Sequence, residues 1–319
     1  MAERAANGRL CILLAVCDGA GYLPAQLDSL AAQDFADWDL LAGDDASRDA
    51  SPGILREFAG RMRGRGHRVD LVAGPRAGAA AHFLTLLAHS AETDPDWLAF
   101  ADQDDVWLPD KLSRAVTALA AQDRGVPCLY CSRTWVTGPA LDNPVLSRGL
   151  TRPPGFRNAL VQNIAAGNTI VLNRAAAALA RAAVPGALAV PGLPAHDWWV
   201  YQIVTGAGGR VLHDDRPSLY YRQHGANQVG ANHGLAAALA RARAILAGGY
   251  AGWNSANIAA LRAAADHLTP DSRAALEAFA ALRGRGIAGR LAGLARLGAY
   301  RQSRATQAAL WLAAALGRL

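Results

Sequence analysis

Short apolar runs alternate with stretches of helical periodicity through the first 135 residues, and most of the early runs end on acids. The runs are Leu10–Cys17, Trp38–Ala42, Arg68–Ala73, Trp97–Ala101 and Cys128–Val136. Between them, Leu23–Ala32, Pro52–Arg61, Ala79–Ser90 and Leu108–Ala121 read as helices, the last with a proline in its first turn. Strands separated by helices of this length specify an α/β fold with a mostly parallel, Rossmann-like central sheet. In such sheets ligands bind beyond the carboxyl ends of the strands. Here those ends read Asp18, Asp44-Asp45 and Asp102-Gln103-Asp104-Asp105.

After Val136 the pattern loosens around Pro139, Pro144, Pro153 and Pro154. A strand-like Thr169–Leu172, a helix from Arg174, an aromatic helix His196–Gly206 and two short runs, Arg210–Leu212 and Leu219–Tyr221, follow. From Gly234 the chain is Ala-, Leu- and Arg-rich with helical periodicity, broken near Gly248, Pro270 and Gly284. The expected organisation is a catalytic region 1–233, with a first half over about 10–135 and a second over about 136–233, and a helical extension 234–319.

Composition narrows the function. With 319 residues, 52% apolar and 18% charged, the chain is globular. Its net charge of +6 is concentrated in the extension, where 11 Arg face 3 acids. A basic tail behind a mildly acidic body excludes a nucleic-acid-binding protein as a whole and suits an anionic partner for the tail alone. Across the chain Arg outnumbers Lys 31 to 1. Four cysteines make no disulfide scaffold, and Cys128-x-x-Cys131 has no second pair for zinc, so a zinc hydrolase lacks ligand spacing. Neither Gly-x-Gly-x-x-Gly after the first strand nor a Walker sequence is present. Without a signal peptide or a long apolar segment, the expected location is the cytoplasm.

Clustered carboxylates repel one another unless a cation lies between them. If residues 102–104 are extended, Asp102 and Asp104 project to one side and can share Mg²⁺ or Mn²⁺. Asp105 also reads as a solvated cap acid ahead of Trp107–Pro109.

These segments resemble the family 2 glycosyltransferases of the GT-A fold. Ala15-Val16-Cys17-Asp18-Gly19 with Tyr22-Leu23 and Gln26-Leu27-Asp28-Ser29-Leu30 is similar to the family opening, and Gly43-Asp44-Asp45-Ala46-Ser47-Arg48-Asp49 to its second motif. Ala101-Asp102-Gln103-Asp104-Asp105-Val106-Trp107-Leu108-Pro109-Asp110-Lys111-Leu112 resembles the rhamnosyltransferase-like branch. Asn163–Thr169, His196-Asp197-Trp198-Trp199 and Tyr221–Asn227 continue the likeness in order. The departures are Asp18 for the usual Asn, Ala46 for a turn glycine and His82 for an Asn before Phe83-Leu84. Ala46 strains the turn if a positive φ is needed there.

The resemblance implies an inverting, metal-dependent transfer of a sugar from a nucleoside diphosphate, with dTDP-rhamnose or another dTDP- or UDP-sugar as donor. The acceptor would be a glycan or a lipid-linked saccharide of a surface polysaccharide. Asp44 or Asp45 would take a pyrimidine N–H, Asp18 would join the donor site, and Asp102 would meet the ribose or a metal-bound water. Asp104, with Asp102 and His224, would hold Mg²⁺ or Mn²⁺, and Arg222 and His224 would assist the leaving diphosphate. Asp197 would be the general base, its alternative being a helix cap. One of Trp198 and Trp199 is expected near the acceptor. The alternative function is a non-catalytic nucleotide-sugar-binding or scaffold protein. For the tail two readings stand. One lays the face of Ile287, Leu291, Leu294 and Leu297 on an anionic membrane, peripheral on its inner side; the other packs it on the core or on a second copy.

Overall fold

The computed structural model describes residues 8–224 and 249–319. In chain order the first elements are β1 (Leu10–Val16), α1 (Leu23–Ala31), β2 (Trp38–Asp44), α2 (Ser51–Arg63), β3 (Val69–Ala73) and α3 (Ala79–His89). Then come β4 (Trp97–Ala101), β5 (Val106–Trp107), α4 (Lys111–Ala120), β6 (Cys128–Thr137), β7 (Val145–Leu146) and α5 (Phe156–Ala159). The region closes with β8 (Val171–Asn173), α6 (Arg174–Leu188), α7 (His196–Gly206) and β9 (Arg210–Arg222).

One sheet carries all nine strands, in the order β3-β2-β1-β4-β8-β6-β9-β5, with β7 on β6. The first four strands of that order and the β6–β9 pair are parallel, while β8, β5 and β7 run antiparallel to their neighbours. In β1, Leu10, Ile12, Leu14 and Val16 enter one apolar cluster and Cys11 and Leu13 the other. A strand buried on both faces must read as a continuous apolar run, and β1 does. All three acidic strand ends fall at the same edge of the parallel half, because β1 pairs in register with both β2 and β4.

Several boundaries differ from the sequence reading. β9 is one strand of 13 residues rather than two short runs, its polar middle carried past β6 by register shifts at Ser132/Arg133 and Arg133/Trp135. Pro217, which has no N–H for the ladder, sits at that irregularity. Residues 102–105 form a turn between β4 and β5 and are not extended. α4 begins at Lys111, so Pro109 precedes the helix.

Four helices follow: α8 (Gly249–Ala263), α9 (Pro270–Leu282), α10 (Ile287–Leu297) and α11 (Arg304–Ala315). Thr269 caps α9 by accepting from Ser272 N, and Ser303 and Thr306 form a capping box on α11. Leu261, Phe279, Leu294, Leu297 and Leu310 share a cluster with Leu160, Trp199 and Val204 of the sheet region. Polar ties seal the joint: Asn158 Nδ2 donates to Tyr300 O (2.8 Å), Arg301 Nη1 to Val161 O (2.9 Å) and Gln302 N to Gln162 Oε1 (2.8 Å). The face expected to meet lipid is therefore turned inward at Leu294 and Leu297, and only its first residue, Ile287, is well exposed. Among the described residues no helix is long and apolar enough to cross a membrane.

Candidate active site

At the ends of β1 and β2 two loops are stitched together by side chains of the second. The backbone N–H groups of Asp18, Gly19 and Ala20 donate to Ser47 Oγ, Ser51 Oγ and Asp49 Oδ2, each at 2.9 Å. Asp18 Oδ1 returns the contact by accepting from Arg48 N at 2.6 Å. Asp18 has φ +48° and Ala46 φ +64°. Asp tolerates that conformation by local hydrogen bonding; Ala gains nothing from it. Asp45 accepts from Arg76 N through Oδ1. Asp44 accepts from Ser47 N at 3.3 Å, and its Oδ1 is buried without a partner. Beside it lies a cavity of about 280 Å³ lined by Asp44, Ala46, Pro52, Arg56, Gly74 and Arg76 among others.

The turn after β4 is fixed from both sides. Gln103 binds Cys17 twice, accepting from its N–H (2.8 Å) and donating to its carbonyl (3.0 Å). A Cβ on Gly19 would lie 2.4 Å from Gln103 Oε1, so the glycine permits this approach. From the other side, the end of β9 brings His224 Nε2 to 2.7 Å from Asp104 Oδ2 and Arg222 Nε to 2.8 Å from Asp104 O. Arg222 also donates to the Pro139 carbonyl. Tyr22 supports both cationic groups: the His224 ring stacks on it at 4.8 Å and the Arg222 guanidinium lies 4.7 Å from its centroid.

Asp105 is fully buried, not a solvated cap acid. Its Oδ2 accepts from Asn168 Nδ2 at 2.6 Å and its Oδ1 from Arg222 N at 3.4 Å. Burial pushes the Asp105 carboxyl far above the carboxylate range, and the charges of Asp102 and Asp104 push the same way. Asp102 rises for the same reasons: burial first, then Asp104 and Asp197, with Lys111 opposing. Lys111 is itself fully buried, donating to Asn168 O at 2.8 Å with its ammonium 4.4 Å from the Trp107 ring centroid.

Asp197 stands in the first turn of α7, where Ala195 occupies the cap position. Its Oδ2 accepts from Gly167 N (2.9 Å) and its Oδ1 from Trp198 N (2.6 Å). Burial raises its pKa to about 6 against these hydrogen bonds. His196 stacks on Phe83 at 3.9 Å and is driven down to about 3 by burial, so it stays neutral and closed off. Trp198 and Trp199 are both core residues, at 5% and 0% exposure, and Trp198 Nε1 donates to Ala159 O. Neither presents an open face to an acceptor.

Among the described residues no three His, Cys, Asp or Glu side chains are placed to hold a metal by themselves. Asp104 and His224 do form a close oxygen–nitrogen pair, with the repulsion between Asp102 and Asp104 still uncompensated. A hard divalent ion bound through one or two carboxylates, with water and substrate phosphate completing its shell, fits that donor set. Gly225, Ala226 and Asn227 of the last motif, and the 233/234 boundary, lie outside the described residues. Sequence reasoning missed Tyr22, Asp105, Lys111 and Asn168 as parts of the site, although all four stood inside quoted motifs.

The sequence model described as "Glycosyl transferase family 2" matches residues 11–173, just over half of the chain. The chain belongs to that family. This glycosyltransferase is 24% identical over 220 residues, 69% of its length and 74% of the relative's, to a protein named dTDP-rhamnosyl transferase RfbG from Shigella flexneri. It is 32% identical over 114 residues to the succinoglycan biosynthesis protein ExoW of Rhizobium meliloti (strain 1021), spanning 34% of that relative. Among solved structures it is similar to S. aureus TarS 1-349 in complex with UDP, at TM-score 0.50 and 15% identity. That likeness covers 67% of this chain and 60% of the TarS chain and concerns the fold, the GT-A arrangement of sheet and flanking helices. The match to the family contains Asp18, Asp44, Asp45, Asp102, Asp104, Asp105, Lys111 and Asn168; Asp197, Arg222 and His224 lie beyond it.

Proposed function

We propose that this glycosyltransferase moves a sugar, with inversion at C1, from a pyrimidine nucleoside diphosphate to a hydroxyl of a glycan or lipid-linked saccharide. The observation that carries the reading is electrostatic. Asp102 feels the charges of both Asp104 and Asp197, so the diphosphate side and the base side share one cleft.

In this reading the cavity beside Asp44 takes the base, and the orphaned Asp44 Oδ1 accepts the pyrimidine N–H. Asp18, through its grip on the 46–49 loop, and Asp45, through Arg76, shape that pocket. Asp102 takes the ribose side. Asp104, with Asp102 and His224, would hold Mg²⁺ or Mn²⁺, whose chemistry is to offset charge developing on the leaving diphosphate. Arg222 positions the turn through Asp104 O. Asp197 takes the acceptor proton as the acceptor oxygen bonds to C1 and the C1–phosphate oxygen bond breaks, the electron pair leaving with the nucleoside diphosphate. A base of pKa about 6 is ionised at neutral pH yet basic enough to receive a proton.

The name of the Shigella flexneri relative supports dTDP-rhamnose as the donor, with a UDP-sugar next. Exposed Ile287, Leu312 and Leu316 with exposed Arg285 and Arg318 support a light contact with an anionic membrane. The deciding experiment is hydrolysis and transfer from a panel of nucleotide sugars, with Mn²⁺, Mg²⁺ or EDTA, detecting released diphosphate. Metal-dependent release from dTDP-rhamnose is expected; release from none of the panel would overturn the reading.

A further inference from the structure

The chain has one lysine among 32 basic residues, and that lysine is completely buried. Where arginine fills nearly every other basic position, a lone interior lysine points to a site needing a compact ammonium on a narrow stem. Lys111 lies in the first turn of α4, with Trp107 against its ammonium.

Its single hydrogen bond goes to the carbonyl of Asn168 at 2.8 Å, in the 167–169 turn between α5 and β8. That turn faces both halves of the site. Asn168 Nδ2 donates to Asp105 Oδ2 at 2.6 Å, and Asp105 Oδ1 accepts from Arg222 N at the end of β9. One residue earlier, Gly167 N donates to Asp197. The ammonium also faces the carboxyls of Asp105 and Asp102, whose charges would otherwise be buried with little relief.

We infer that Lys111 is a positioning residue, pinning the 167–169 turn so that Asp197 and the Asp102–Asp105 turn are held in one geometry before donor and metal arrive. It touches no substrate. It supplies the charge that lets Asp105 join Asn168 to the end of β9, and the turn that hands a backbone N–H to Asp197. The inference rests on the glycosyltransferase reading given above.

The test compares wild type, Lys111→Met and Asp105→Asn/Lys111→Met. UDP and dTDP binding is measured by calorimetry with and without Mn²⁺, beside transfer kinetics and thermal melting. Binding without metal depends on the Asp44 pocket, which Lys111 does not touch, and should change less than about 3-fold in Lys111→Met. The tightening by Mn²⁺ should be largely lost and kcat should fall at least about 10-fold, more than KM rises, within the range seen when outer-shell partners are removed. Neutralising Asp105 as well removes the stranded charge, so the double variant should melt higher than Lys111→Met and regain part of the Mn²⁺ effect. Retention of kcat and of Mn²⁺ tightening in Lys111→Met would overturn the inference, as would a double variant no better than the single. A wild type without Mn²⁺ tightening or transfer would instead sink the underlying reading.

Discussion

The backbone N–H of Gly167 donates to Asp197 Oδ2 at 2.9 Å, so the proposed base is aimed by a glycine 30 residues away in the chain. A Cβ at 167 would lie 2.8 Å from His196 Nε2 and 3.3 Å from Asp197 Cβ. His196 cannot retreat, being stacked on Phe83. Gly167→Ala is therefore expected to displace Asp197 and lower kcat by about 10- to 100-fold, since small misplacements cost that much. Donor binding should be nearly unchanged. A kcat equal to wild type would show that Gly167 does not set the base.

The pH dependence follows from the same carboxyl. Burial lifts Asp197 from the ordinary aspartate value to about 6, and only its ionised form accepts a proton. Activity should then rise with pH through a midpoint near 6, with one proton lost on that limb. Asp197→Asn should reduce transfer by about 10² to 10⁴ while leaving donor affinity close to normal. A cap would tolerate Asn, so near-normal transfer in that variant would refute the base assignment. His196 offers no substitute, because it is 8% exposed and held neutral by burial.

The turn at Ala46 gives a prediction about stability. Its φ of +64° is the left-handed region, where an L-residue pays about 1–2 kcal/mol that glycine avoids. Part of the gain is returned through the greater freedom of glycine in the unfolded chain. Ala46→Gly should raise stability by about 0.5–1 kcal/mol, about 1–3 °C in Tm, without loss of transfer. A fall in Tm would mean that the turn relies on the Ala46 methyl.

Much of this architecture was legible in the sequence. β1 and β4 are buried on both faces, which forces unbroken apolar runs, and the acids at their ends could be placed at one edge from the α/β rule alone. β9 was not, because its middle, His213–Pro217, is polar and its pairing with β6 slips twice. Asp105 and Lys111 were misjudged or overlooked for a related reason. A charged residue in a polar stretch reads as solvated, and only tertiary contacts with Asn168, Arg222 and Trp107 bury this pair. The tail's leucine face was visible as a stripe, but a stripe does not state what it covers. Leu294 and Leu297 cover the core.

What remains outside on the tail is small, and its lipid contact is correspondingly testable. Replacing Ile287, Leu312 and Leu316 by Ser should reduce sedimentation with anionic vesicles and leave Tm within about 2 °C, because exposed positions contribute little to folding. Raised salt should weaken the binding of the intact chain. No sedimentation of the intact chain would remove the membrane from the proposal.

The Asp104–His224 pair decides the metal. At 2.7 Å the two side chains are hydrogen-bonded partners, and both come from segments ordered independently, the Gln103-clamped turn and the end of β9. A divalent ion would exchange this contact for coordination, gaining a carboxylate oxygen and an imidazole nitrogen. Asp104→Ala removes the carboxylate and should abolish both donor turnover and the tightening of UDP or dTDP by Mn²⁺. His224→Ala leaves Asp104 in place and should weaken the Mn²⁺ effect by about 10- to 100-fold, comparable with losing one supporting group. Both side chains are only partly buried, so melting temperatures should stay near wild type and separate site loss from unfolding. Chelation should reproduce the Asp104→Ala result in wild type, and readdition of Mn²⁺ or Mg²⁺ should reverse it. Full transfer in EDTA, or an undiminished Mn²⁺ effect in Asp104→Ala, would place the neutralising charge elsewhere, with Arg222 the nearest cation to take it.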